Sequence, residues 1–263
     1  MNAVDSHAHV FARNLKPVPD ARYVPDYDAT VDDWIALQNA NGVTHGVLVQ
    51  PSFLGTDNAF LLAALGAHPR RLRGVVVAGI TLTAQAIAAW DALGVRGIRL
   101  NVVGLRDLPD FAAADWKALF ARIADRAWHV EVHASGNQMA KVLGALAGCP
   151  AALVFDHFGL PDPERGVACP NTATFARLAE QQLVYVKLSA PYRLNGGDAA
   201  QYARFWLAQL GAERLLWGSD WPWTNFERAA DYAGCVGALS AWIPEAADRR
   251  RILWDTPRAL FRF

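Results

Sequence analysis

Apolar, β-branched runs of strand length recur eight times along the chain, separated by stretches with apolar residues at helical spacing. The runs are "AVDSHAHV" (3–10), "THGVLVQP" (44–51), "LRGVVVAGI" (72–80), "VRGIRLNV" (95–102), "WHVEVHAS" (128–135), "ALVFDHFG" (152–159), "VYVKLSAP" (184–191) and "RLLWGSDWP" (214–222). Strands that follow one another through helices run parallel, because a parallel pair needs a long crossover. Eight such units at a repeat of roughly 30 residues predict an α/β fold, a (β/α)8 TIM barrel with room for distortion. An open doubly wound sheet shares the alternation, but no G-x-G-x-x-G or G-x-x-x-x-G-K follows the first strand. No linker or low-complexity tract breaks the series, so residues 1–263 read as a single domain.

The intervening segments include "TDNAFLLAALGAHP", "TAQAIAAWDALG", "DWKALFARIADRA" and "NGGDAAQYARFWLAQLGA". Several begin after Thr, Asp or Asn and stop at Gly, as capped helices do. Two connections are long for a compact barrel, residues 11–30 and 160–171, and are expected to act as lids that carry specificity.

Lys plus Arg number 25 and Asp plus Glu number 25, so no net field favours nucleic acid or an anionic membrane. A small molecule is the expected partner, and large apolar helices leave an oligomer open. The three cysteines lack zinc or redox spacing, and no secretory signal or spanning apolar run is present. These features predict a cytoplasmic protein.

Barrel chemistry lies at the C-terminal ends of the strands. Those ends are polar here: His7 and His9, Arg99 and Asn101, His133, His157, Lys187 and Ser189, then Asp220. The i, i+2 spacing places both His7 and His9 on one face of the first strand, opposite Val4, Ser6 and Ala8. Unpaired polar groups inside a barrel cost on the order of 2–7 kcal/mol each, so these side chains must converge on one another, water, an ion or a ligand. His45 and His68 read as structural. His129 and Glu131 read equally as packing within the barrel or as support for the site. Asp156, one residue from His157, is expected on the opposite face as packing or capping, while Trp221 and Trp223 are near enough to Asp220 to wall a pocket.

"DSHAHVF", the His of "VFDHFG" and "LLWGSDWPW" together resemble the amidohydrolase superfamily, most closely its amidohydrolase-2 branch of 2-pyrone-4,6-dicarboxylate lactonases and related lactone hydrolases. The resemblance implies that His7, His9 and His157 polarise a substrate carbonyl while Asp220 holds the attacking water and takes its proton. It implies substrate-carboxylate binding by Arg99 and by Arg193 in "APYRL", with Tyr192 and Ser189 beside it, and by Arg106, one residue off the expected spacing. The fork of an arginine suits an anionic substrate independently. His133 departs from the pyrone lactonases and matches metal-dependent decarboxylases of the branch. His7, His9, His133 and Asp220 would then hold one divalent ion, zinc or manganese, with His157 left as acid or base. A metal clamp and a metal-independent carbonyl clamp both stay open.

The expected activity is hydrolysis of a carboxylate-bearing lactone. The alternatives are metal-dependent decarboxylation of an aromatic or muconate-type acid and a non-catalytic small-molecule-binding barrel.

Overall fold

The computed structural model describes residues 2–162 and 164–263. Eight strands, β1 (Val4–Ala8), β2 (His45–Val49), β3 (Leu72–Val76), β4 (Val95–Asn101), β5 (His129–His133), β6 (Leu153–Phe155), β7 (Val184–Leu188) and β8 (Leu215–Trp217), pair in chain order, all parallel. A parallel bridge between Ala8 and Trp221 joins the last strand to the first and closes the barrel. The surrounding helices are α1 (Val31–Ala40), α2 (Ala59–Ala67), α3 (Ala84–Leu93), α4 (Ala114–Ala124), α5 (Gly136–Ala145), α6 (Pro170–Gln181), α7 (Ala199–Leu210) and α8 (Tyr232–Trp242). Two short ones, α9 (Ala246–Arg250) and α10 (Thr256–Phe261), follow. Among the described residues, no helix is long and apolar enough to cross a membrane.

The expected caps are met in part: Asn58 before α2 makes no side-chain cap bond, and α4 starts after Ala113 rather than at an Asp. Thr30, Thr83, Asp198 and Asp231 accept backbone N–H bonds at the N-termini of α1, α3, α7 and α8, satisfying donors that a helix leaves orphaned. The main core lies between sheet and helices and includes Trp34, Leu65, Phe120 and Trp206. A second cluster fills the lower barrel: Val4, Val47, Val49, Val75, Val154 and Leu216 close on Phe261 of α10. That ring floors the barrel, so polar side chains higher on the strands meet one another above an apolar plug.

Two irregularities decide which side chains face inward. The β1–β2 register shifts between Asp5 and Ala8, and such an extra residue resets the alternation of a strand. Val4 therefore packs inside with the floor, Asp5 turns outward to Trp34 and Tyr232, and His7 returns to the interior. The expectation that Val4 opposes the histidines is corrected by this bulge. At the far end of the barrel, β6 and β8 stop sooner than their apolar runs. His157 and Asp220 follow them with φ of 51° and 57°, a left-handed conformation costing about 1–2 kcal/mol for a residue with a Cβ. Backbone bonds hold it: Asp220 N donates to His7 O at 2.9 Å, Trp223 N to Asp220 O at 2.7 Å and Leu160 N to His157 O at 2.9 Å. Gly218 permits the close approach, since a Cβ there would lie 2.6 Å from His7 Cβ.

Candidate active site

The left-handed turn at His157 lets consecutive residues share the interior. Asp156, expected to face away, is buried in the barrel: its Oδ2 accepts from Arg99 Nη2 at 2.8 Å, and its Oδ1 is 3.2 Å from His7 Nδ1. Asp156 continues the inward face of Val154, two residues before it, and alternation breaks at His157, which the left-handed turn brings in beside it. Below it, Lys187 Nζ donates to Glu131 and lies 2.9 Å from His7 Nδ1 and 3.4 Å from Asp156 Oδ1. Three internal cations, Arg99, Lys187 and Arg193, thus face three carboxylates, Asp156, Glu131 and Asp220. A balanced set of buried charges is what low-dielectric surroundings require.

Asp220 is held asymmetrically. Its Oδ2 accepts from Tyr192 Oη at 2.7 Å and Arg193 Nε at 3.0 Å, while Oδ1 is buried with no hydrogen-bond partner. Around that free oxygen lie His7 Nε2 and His9 Nε2, both at 3.5 Å, and His157 Nε2 at 3.9 Å. Burial pushes the Asp220 carboxyl up, but Arg193 foremost outweighs it and holds the group well below the ordinary carboxylate range. Burial lowers His7 and His157 to about 3, so both are neutral near pH 7. Burial and then Asp220 raise the Tyr192 phenol, which keeps it a donor.

Hydrogen bonds constrain the imidazoles. His9 Nδ1 is 2.7 Å from Val49 O, and a carbonyl can only accept, so neutral His9 carries its proton there and presents a bare Nε2. His157 Nδ1 pairs with Ser189 Oγ at 2.9 Å. His7 has two choices: Nδ1–H to Asp156 leaves Nε2 bare, whereas accepting from Lys187 places the proton on Nε2.

A pocket of about 370 Å³ opens above these groups, reaching His9, Arg99, His133, His157, Arg193 and Asp220. Arg99 and Arg193 are therefore in the pocket, but each is already engaged by a carboxylate. Tyr192 and Ser189 meet Asp220 and His157. Arg106 is exposed on the β4–α4 loop, apart from the residues that line the pocket. Sequence reasoning passed over Arg22 and Tyr23, which line it from the 11–30 loop. It also passed over the role of Asp5: the carboxylate accepts from His7 N, Ser219 N, Ser219 Oγ, Trp34 Nε1 and Tyr232 Oη, at 2.6–3.2 Å. Its place just before the paired histidines was the signal.

The amidohydrolase family model matches residues 4–263. The chain belongs to the amidohydrolase family. It is 30% identical to the 2-pyrone-4,6-dicarboxylate hydrolase of Comamonas testosteroni, over 98% of this chain and 90% of that protein. To the 4-sulfomuconolactone hydrolase of Rhizobium radiobacter it is 28% identical, over 98% and 89%. A probable 2-pyrone-4,6-dicarboxylic acid hydrolase from Acinetobacter baumannii, solved with citric acid bound, superposes with a TM-score of 0.93 at 35% identity over 100% of both chains.

Amidohydrolases raise the question of a divalent ion, and the donor set can be tested against one. Among the described residues, His7, His157 and Asp220 offer ligand atoms within 4.8 Å of one another, and His7 Nε2 and Asp220 Oδ1 are buried orphans. With the bare Nε2 of His9 beside them, nitrogen and carboxylate donors suited to zinc or manganese converge. The residues fit. The gathered set differs from the sequence expectation, for His157 joins it while His133 Nδ1 lies 3.3 Å from Arg99 Nη2. The second cluster able to ligate, His7, Glu131 and Asp156, already surrounds the Lys187 ammonium.

Proposed function

We propose that this amidohydrolase opens a carboxylate-bearing lactone by adding water to the ring carbonyl. The observation that carries the reading is the division of labour within Asp220: one oxygen is fixed by Tyr192 and Arg193, and the other is free among three imidazole nitrogens. The free oxygen takes the proton of the attacking water as the oxygen–carbon bond forms. An Nε2–H of His7 would face the negative charge developing on the carbonyl oxygen. Collapse breaks the ring carbon–oxygen bond, and Asp220 returns its proton to the departing oxygen. His157, steadied by Ser189, orients that group. A divalent ion held by His7, His9, His157 and Asp220 would polarise the carbonyl and acidify the water.

The chemistry of the base supports a lactone over an amide. The Arg193 pair makes Asp220 a weak base, suited to an activated ester with a good leaving oxygen. The names of the relatives point the same way. Decarboxylation would draw on His133 as a ligand, and that imidazole is turned to Arg99 instead.

Asp220→Asn tests the assignment. Turnover of a pyrone or muconate-derived lactone should fall by about 10²–10⁴ with substrate binding retained, and near-normal turnover would sink it. Elemental analysis, with assay before and after chelation, separates the two clamps. About one equivalent of zinc or manganese and activity lost on its removal assign the imidazoles to an ion. Full activity after chelation assigns them to the carbonyl.

A further inference from the structure

We infer that Arg22, on the loop between β1 and α1, selects for an anionic group on the substrate, because it is the pocket guanidinium that no carboxylate of the protein neutralises among the described residues. The inference deepens the lactone reading and rests on it for the identity of the ring.

Three arginines line the pocket. Arg99 donates to Asp156 at 2.8 Å and Arg193 to Asp220 at 3.0 Å, so their charges are offset from within. Arg22 makes one side-chain hydrogen bond, from Nη2 to Asn101 Oδ1 at 3.2 Å, and an amide supplies orientation without charge. Partial burial, then the cations of Arg99 and Arg193, disfavour its charged form. A substrate anion bound there relieves that repulsion and supplies the countercharge that Arg22 lacks. The spare N–H groups of Arg99 and Arg193 can share the same anion, since each guanidinium has five donors.

The loop is fixed well enough to place the residue. Phe11 and Ala29 pair at its base, and Val18 N donates to Phe53 O at 2.8 Å. Next to Arg22, Tyr23 Oη donates to Glu227 at 2.5 Å, and the same carboxylate accepts from Tyr27 Oη at 3.0 Å and Asn225 N at 3.1 Å. Arg22 and Tyr23 thus reach opposite ways, to the end of β4 and to the loop after β8, bridging the pocket mouth. A clasped loop loses little freedom when its arginine meets a ligand. Arg106, which the resemblance offered for this duty, is exposed outside the pocket.

The test is calorimetric titration of the full chain with isophthalate, a planar ring dianion with no hydrolysable bond, beside kinetics on carboxylated and uncharged lactones. Arg22→Gln should weaken isophthalate about tenfold and raise KM for the carboxylated lactone to match, with kcat and the uncharged lactone little changed. Arg106→Gln should leave all of these within about twofold, as for a solvated surface charge. Unchanged isophthalate affinity in Arg22→Gln, or an equal loss in Arg106→Gln, overturns the inference while the lactone reading stands. Isophthalate binding that depends on Arg22, in a protein that hydrolyses no lactone, upholds the anion site and removes the lactone reading instead.

Discussion

Asp5 does its work through other residues. Its carboxylate gathers two donors from Ser219, the neighbour of Asp220, and the backbone N–H of His7. It also anchors both to α1 through Trp34 and to α8 through Tyr232. Burial raises its pKa, and the hydrogen bonds from Ser219, His7 and Tyr232 pull against that rise. Asp5→Asn places an amide NH2 against groups that include the indole of Trp34, which can only donate. The variant should lose about 1–3 kcal/mol of stability in urea unfolding. It should also lose kcat at nearly constant KM, because the turn that aims Asp220 shifts. An unchanged kcat in the folded variant would confine Asp5 to a structural role.

At the scale of elements, the eight strands were legible because each is an apolar run bounded by turn residues, and all eight appear in the expected order. Which side chains enter the barrel was only partly legible. Strict alternation placed His7 and His9 correctly but misplaced Val4 and Asp156, since a bulge in β1 and a left-handed turn after β6 each reset the phase. Neither irregularity leaves a glycine or proline at the residue that turns. Arg22 was hidden for another reason: a long loop carries no periodicity, so its path is set by tertiary clasps such as Tyr23 with Glu227. Lys187 was visible as a polar strand residue, but its partnership with Glu131 on β5 depends on register across the barrel. Removing that ammonium by Lys187→Met leaves Glu131 and Asp156 buried without it. Urea titration should show a loss of about 3–5 kcal/mol. Adding Glu131→Gln should restore part of it, and two losses that simply add would deny the coupling.

Four histidines inside the barrel are stored neutral by the fold. His7 and His157 are lowered to about 3, and His129 and His133 are lowered as well, burial leading in every case. The unfolded chain protonates these rings near pH 6.5 and the native one does not, so the unfolded state binds more protons as pH falls. The stabilisation is complete above pH 6.5 and drains away toward pH 3. Each histidine contributes a slope of at most about 1.4 kcal/mol per pH unit. Thermal unfolding between pH 8 and pH 4 should show Tm steady at first and then falling. A Tm independent of pH across that range would mean the rings are already charged in the fold.

Phe261 and the valines around it seal the lower end of the barrel. Traffic through the site is therefore two-way in a single lane beneath the Arg22 loop. Ring opening turns an ester into an acid, so on the proposed chemistry the product leaves with one more negative charge than the substrate brought. If Arg22 draws the substrate in as proposed, it would grip the product harder on its way out, and where release limits turnover, added salt would speed it at saturating substrate and slow it when substrate is scarce.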